Sequence, residues 1–95
     1  FGAKSAWIPL VAPAELQANM EGFVLVIKTS FDFIQNGYVD VYDLSGRLIL
    51  QKQVNLGSAD LPSVRNDFSS LSRGVYIFDI YGEQKGRATL KTVMP

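Results

Sequence analysis

Tyr38 to Leu50 reads YVDVYDLSGRLIL, and the pattern of these thirteen residues decides the fold. Val39 and Val41 alternate with Tyr38, Asp40 and Tyr42; after a break, Leu48 and Leu50 alternate with Arg47, Ile49 and Gln51. Successive side chains leave a strand on opposite sides, so this period of two marks a pair of half-buried strands. The break is Asp43-Leu44-Ser45-Gly46. An aspartate here can accept hydrogen bonds from backbone N–H groups two and three residues on. Leu44 and Ser45 then form a type I turn, and Gly46 takes the left-handed conformation at a bulge. The stretch is a β-hairpin, and a β-branched residue at position 46 would strain it.

Working outward, strand-like runs cover Ala6 to Leu10, Gly22 to Thr29, Gly37 to Asp43, Arg47 to Val54, Ser63 to Asp67, Gly74 to Tyr81 and Arg87 to Met94. Seven short strands separated by turn signals predict an all-β sandwich. The run from Gly74 carries apolar groups on both faces, with Tyr76, Phe78 and Ile80 on one and Val75, Ile77 and Tyr81 on the other, which places it centrally in a sheet. The closing run alternates Ala88, Leu90, Thr92 and Met94 with Arg87, Thr89, Lys91 and Val93, as an edge strand does. Gly82 to Gly86 suits the loop of the last hairpin. Ala14 to Met20 (AELQANM) is helix-forming but too short to stand alone, and is expected as a turn of helix or an extended link.

The chain of 95 residues is one domain, with 47% hydrophobic and 12% aromatic residues to fill two packed sheets. A chain this short removes roughly 60 to 65% of its unfolded surface from water, so the core is thin. Nine basic and nine acidic residues are scattered along it, and the net charge is zero, without the concentrated positive footprint that nucleic acid needs. Cysteine and histidine are both absent. That excludes thiol and Ser-His nucleophiles, histidine and thiolate metal ligands, and disulfides. Asp40, Asp43 and Asp79 could meet across strands as a catalytic pair or calcium site, but no calcium-loop spacing occurs. They read as one turn carboxylate and solvent-facing strand carboxylates. Phosphate-binding glycine motifs are missing. No apolar run is long enough to span a membrane as a helix.

Aromatic side chains leave one further option. Trp7, Phe31 and Phe33 fall in weakly patterned segments and could form a sugar-binding platform if they are exposed and coplanar, whereas Tyr76 and Phe78 read as core. The opening FGAKSAWIPLVAPAEL has a cation, a short apolar stretch and an A-x-A site, as a signal peptide does. Pro9 breaks that stretch and Phe1 is not a start methionine, so residues 1–14 are expected as a linker or first strand and residues 15–95 as the sandwich domain.

The residues around both glycine-anchored runs resemble the C-terminal sorting domain of type IX (Por) secretion, a family of Bacteroidetes-type bacteria. Val41-Tyr42-Asp43-Leu44-Ser45-Gly46-Arg47 fits its "[IV]YDLxGR" turn fully. Asp67-Phe68-Ser69-Ser70-Leu71-Ser72-Arg73-Gly74-Val75-Tyr76 fits its "DLSxLPxGxY" segment, with Phe68 for leucine and Ser72 for proline, and Lys91 sits in the closing strand as in the family. The opening "PNP" turn is absent, with PLVAPA (Pro9 to Ala14) a loose substitute.

The resemblance implies an immunoglobulin-like β-sandwich of about seven antiparallel strands. It further implies a non-catalytic, cofactor-free folded address joined to an N-terminal passenger. In that family the domain is recognised in the periplasm by translocon, shuttle or sortase proteins and carried across the outer membrane to the cell surface or medium. Recognition would fall on Asp43, Gly46, Arg47, Gly74, Tyr76 and Lys91, on the turns and last strand. Two alternatives stand beside it: a retained docking domain of a secretion component such as a sortase-associated surface adaptor, and a carbohydrate-binding or spacer module of a secreted enzyme. Edge strands also allow a dimer.

Overall fold

The computed structural model describes residues 15–57 and 63–95. Among them lie seven strands: β1 (Leu16–Glu21), β2 (Val24–Thr29), β3 (Gln35–Tyr42), β4 (Leu48–Leu56), β5 (Ser63–Asp67), β6 (Gly74–Gly82) and β7 (Arg87–Met94). All pairings are antiparallel, in a three-stranded sheet ordered β1-β2-β5 and a four-stranded sheet ordered β4-β3-β6-β7. The bounds expected for β5 and β7 agree with those observed, β6 lies inside its sheet, and β7 is an edge. Within the stretch Ala14 to Met20, Leu16 to Met20 form neither helix nor link but most of β1, because Leu16, Ala18 and Met20 gain a core to face once β2 pairs alongside. The expected strand at Ala6 to Leu10 lies outside the described residues.

The period-two pattern becomes the core, except that the bulge opposite Tyr42 turns Leu48 away from Leu50 to the outer face. Leu25 and Ile27 of β2, Val39 and Val41 of β3, Leu56 of β4, and Phe78 and Ile80 of β6 are fully enclosed between the sheets. Phe68, just after β5, meets Phe78 edge-on with ring centroids 5.1 Å apart and planes at 83°, so one aromatic contact spans the layers. Polar stitches close the flanks. Thr29 Oγ1 donates to the Gly57 carbonyl at 2.7 Å, and Lys52 Nζ donates to the Asp67 carbonyl at 3.3 Å while lying over the Phe68 ring. At the opposite flank β1 runs beside β7, where Lys85 pairs with Glu15 at 3.1 Å.

The loop Gly82 to Gly86 does form the last hairpin, and a buried amide holds it. Gln35 Oε1 accepts from the N–H groups of Gln84 (2.9 Å) and Lys85 (3.3 Å), and Gln35 Nε2 donates to the Lys85 carbonyl at 2.8 Å. A loop otherwise dependent on water is thereby tied to β3. Replacement by leucine keeps the volume but strands these loop groups. Gln35→Leu is expected to cost about 2 kcal/mol, measured as a lower urea midpoint at unchanged slope; an unchanged midpoint would show that the amide does not hold the loop.

Candidate functional site

The Asp43 turn is built as a type I turn followed by a glycine bulge. Gly46 N–H donates to the Asp43 carbonyl and Asp43 N–H to the Arg47 carbonyl, both at 3.0 Å, and Gly46 has a φ of 89°. Asp43 Oδ1 accepts from Ser45 N–H (2.9 Å), Ser45 Oγ (2.6 Å) and Arg47 N–H (3.0 Å). Its backbone partners are thus two and four residues on, not two and three, because the third N–H is taken by the Asp43 carbonyl. The Ser45 hydroxyl first, then the Arg47 N–H, hold the Asp43 carboxyl below the ordinary 3.8, and Arg47 Nε lies 3.3 Å from Oδ2.

Gly74 opens β6 with a φ of 155°, a backbone conformation that side-chain-bearing residues avoid. Tyr76 turns inward, 8% exposed, and its hydroxyl donates to the Ser72 carbonyl at 2.9 Å, with Ser72 Oγ at 3.3 Å. A tyrosine hydroxyl bonded a few residues upstream at a strand start is the tyrosine corner of immunoglobulin-like sandwiches. Tyr76 therefore shapes the surface from beneath. Lys91 projects outward from β7, opposite Ile77, which is itself opposite Tyr42 at the edge of the turn. All six residues singled out in the sequence gather at one end of the four-stranded sheet. Four of them set backbone shape, while Arg47 and Lys91 present charge.

Further along the outer face, register places Asp40 directly opposite Asp79. Neither is solvent-facing as expected: they are 7% and 9% exposed, because Tyr81, Gln51 and Arg87 close over them. Asp40 accepts from Gln51 Nε2 at 2.7 Å and Tyr81 hydroxyl at 3.0 Å. Asp79 accepts from Arg87 Nε and Nη2 at 3.0 and 2.5 Å. The bond to Asp40, then burial, raises the Tyr81 phenol above its usual 10.0, and the bond to Asp79 raises Arg87. Each carboxylate is thus occupied by its own donors. The sequence allowed Asp40 and Asp79 to meet across strands, as they do, but gave no sign of the Gln51, Tyr81 and Arg87 donors that occupy them.

Phe31 is 1% exposed and stacks on the partly buried Phe33 at 5.3 Å with the planes tilted 36°, so these two make no exposed flat platform; Trp7 lies outside the described residues. Tyr38 and Tyr81 are neighbours on the outer face but are tilted by 38°. Among the described residues there is no enclosed cavity and no group of three acidic side chains placed to share a metal.

Comparison with known proteins agrees with this architecture. A family model described as the secretion system C-terminal sorting domain matches residues 22–94, so the likeness begins well before the Asp43 turn. The chain is also similar to a crystal structure of a Bacteroides vulgatus protein with an immunoglobulin-like β-sandwich fold, at 12% identity and a TM-score of 0.64, covering 86% of this chain and 85% of that one. No individual curated protein is similar enough to be matched to the chain.

The turn chemistry makes two predictions. A Cβ at Gly46 meets nothing within 4 Å, so the constraint there is the backbone alone. Gly46→Val should cost about 1–2 kcal/mol in chemical denaturation and Gly46→Asn clearly less; equal costs would contradict the left-handed requirement. For Asp43, a folded-state pKa below 3.8 means that its contribution is fully present above that value and is lost as pH falls through the lowered value. Asp43→Asn should therefore lower the denaturation midpoint at neutral pH, and the gap from the parent should close as pH drops below 3.8. A gap constant across this range would show that the charge is not the stabilising feature.

Proposed function

The chain belongs to the type IX (Por) secretion C-terminal sorting domain family, and from that premise we propose that residues 15–95 are the folded address itself, with residues 1–14 as the link to a passenger. Type IX sorting domains mark proteins for export across the outer membrane to the cell surface or beyond. In this reading the address is non-catalytic. It is met in the periplasm by translocon, shuttle or sortase proteins, and the meeting takes place at the turn end of the four-stranded sheet.

The observation carrying the proposal is the convergence of Asp43, Gly46, Arg47, Gly74, Tyr76 and Lys91 at that end, from three separate stretches of chain. A short linear signal could not bring them together. Asp43 and Gly46 hold the turn, Gly74 and Tyr76 hold the start of β6, and Arg47 and Lys91 are the exposed groups a partner touches. Because β1 runs beside β7, contact through side-chain faces and turns suits this site better than addition of a strand along the whole of β7.

Fusing the 95 residues behind a passenger that carries a periplasmic export signal tests this in a type IX-competent host, with a translocon-deficient strain as control. The passenger is expected at the surface or in the medium of the competent strain alone. Retention in the periplasm of both strains, with the domain folded, would overturn the address reading and favour a retained docking domain.

A further inference from the structure

The outer face of the four-stranded sheet ends in an exposed apolar floor. Tyr42 is paired with Leu48, and the bulge inserts Ile49 beside the same position; across the sheet Tyr42 faces Ile77, and one step nearer the end Val75 faces Val93. The described residues expose six large apolar side chains. Four belong here, Leu44 at 61%, Leu48 at 50%, Ile49 at 40% and Val93 at 66%; Phe23 and Ile34 lie elsewhere, in the β1–β2 turn and just before β3. With neighbouring strands about 4.8 Å apart, the floor is about 15 Å wide.

Its rim is basic. Arg47, Arg73 and Lys91 are all exposed. Among the described residues, Arg73 and Lys91 have no ion-pair partner, whereas Arg65, Lys85 and Arg87 are each paired with a carboxylate. The carboxylate of the β3–β4 turn, Asp43, is consumed by its own turn and by Arg47. Two unpaired cations, together with Arg47, thus flank four of the six large apolar side chains that the described residues expose. Such a surface complements apolar side chains flanked by carboxylates.

The geometry points to a docking site for an acidic protein surface, whose apolar residues seat on Tyr42, Leu48, Ile49, Ile77 and Val93 while its carboxylates meet Arg47, Arg73 and Lys91. The identity of that partner as part of the export machinery rests on the sorting reading above. A lipid surface fits less well: among the described residues no Trp or Phe projects from the floor, and three cations near an anionic bilayer supply only about 1 kcal/mol each.

The test uses the same passenger fusion with two sets of variants: Arg73→Glu with Lys91→Glu for the rim, and Leu48→Ser with Val93→Thr for the floor. Arg73→Lys with Lys91→Arg preserves charge, and Lys28→Glu reverses an exposed cation on β2 in the other sheet. Thermal unfolding of each purified domain confirms that the variants fold. Both sets are expected to lower the exported fraction about tenfold, with the charge-preserving pair and Lys28→Glu near the parent. Parent-like export of folded rim and floor variants would overturn the docking site and leave the sorting reading standing, whereas failure of the parent fusion to be exported would remove the reading on which the site rests. Co-sedimentation of the purified domain with phosphatidylglycerol vesicles, abolished by the rim variant, would overturn the protein assignment in favour of a lipid.

Discussion

The pairing of β3 with β6 is the constraint on which the rest depends. Tyr38 opposes Tyr81, Asp40 opposes Asp79, and Tyr42 opposes Ile77, joining residues about forty positions apart in the chain. A slip of one residue would turn Phe78 and Ile80 out of the core and drive Asp79 into it, a change that hydrophobic burial forbids. With this register set, both flanking hairpins fall into place. The β3–β4 turn and the start of β6 are then compelled to lie side by side.

Shape and charge divide the work at that end of the sheet. Asp43, Gly46, Gly74 and Tyr76 spend their polar and conformational capacity inside the protein, on turn N–H groups, positive φ angles and the Ser72 carbonyl. Arg47, Arg73 and Lys91 are left for the outside. Loss of a motif residue of the first kind would disturb a partner only through the surface it supports. Loss of Arg73 or Lys91 would remove exposed charge without breaking an ion pair among the described residues. Ser72, where the family has proline, joins the first kind, because its carbonyl and hydroxyl both approach the Tyr76 hydroxyl.

Edges in a small sandwich need protection, and this one manages them unevenly. β1 lies along β7, and Lys52 reaches from β4 to the carbonyl that ends β5, so the two sheets lean together at both flanks. The apolar floor receives no such cover from the described residues. Covering Asp40 and Asp79 with Gln51, Tyr81 and Arg87 gives the middle of the same face a closed hydrogen-bonded surface, and the exposed large apolar side chains of Leu48, Ile49 and Val93 lie at its turn end.

Local chemistry was legible in the sequence wherever one short stretch contained all the interacting groups. The Asp43 to Gly46 turn, the bounds of β5 and β7, the central place of β6 and the edge position of β7 all follow from alternation and turn residues, which act within a few positions of each other. β1 was missed because AELQANM favours a helix by itself and becomes a strand only when β2 supplies the partner and the core. Gln35 under the last hairpin, the donors closed over Asp40 and Asp79, and the apolar floor drawn from β3, β4, β6 and β7 were decided by tertiary structure alone. Each joins residues that only the sheet register brings together, and no pattern along the chain carries that register.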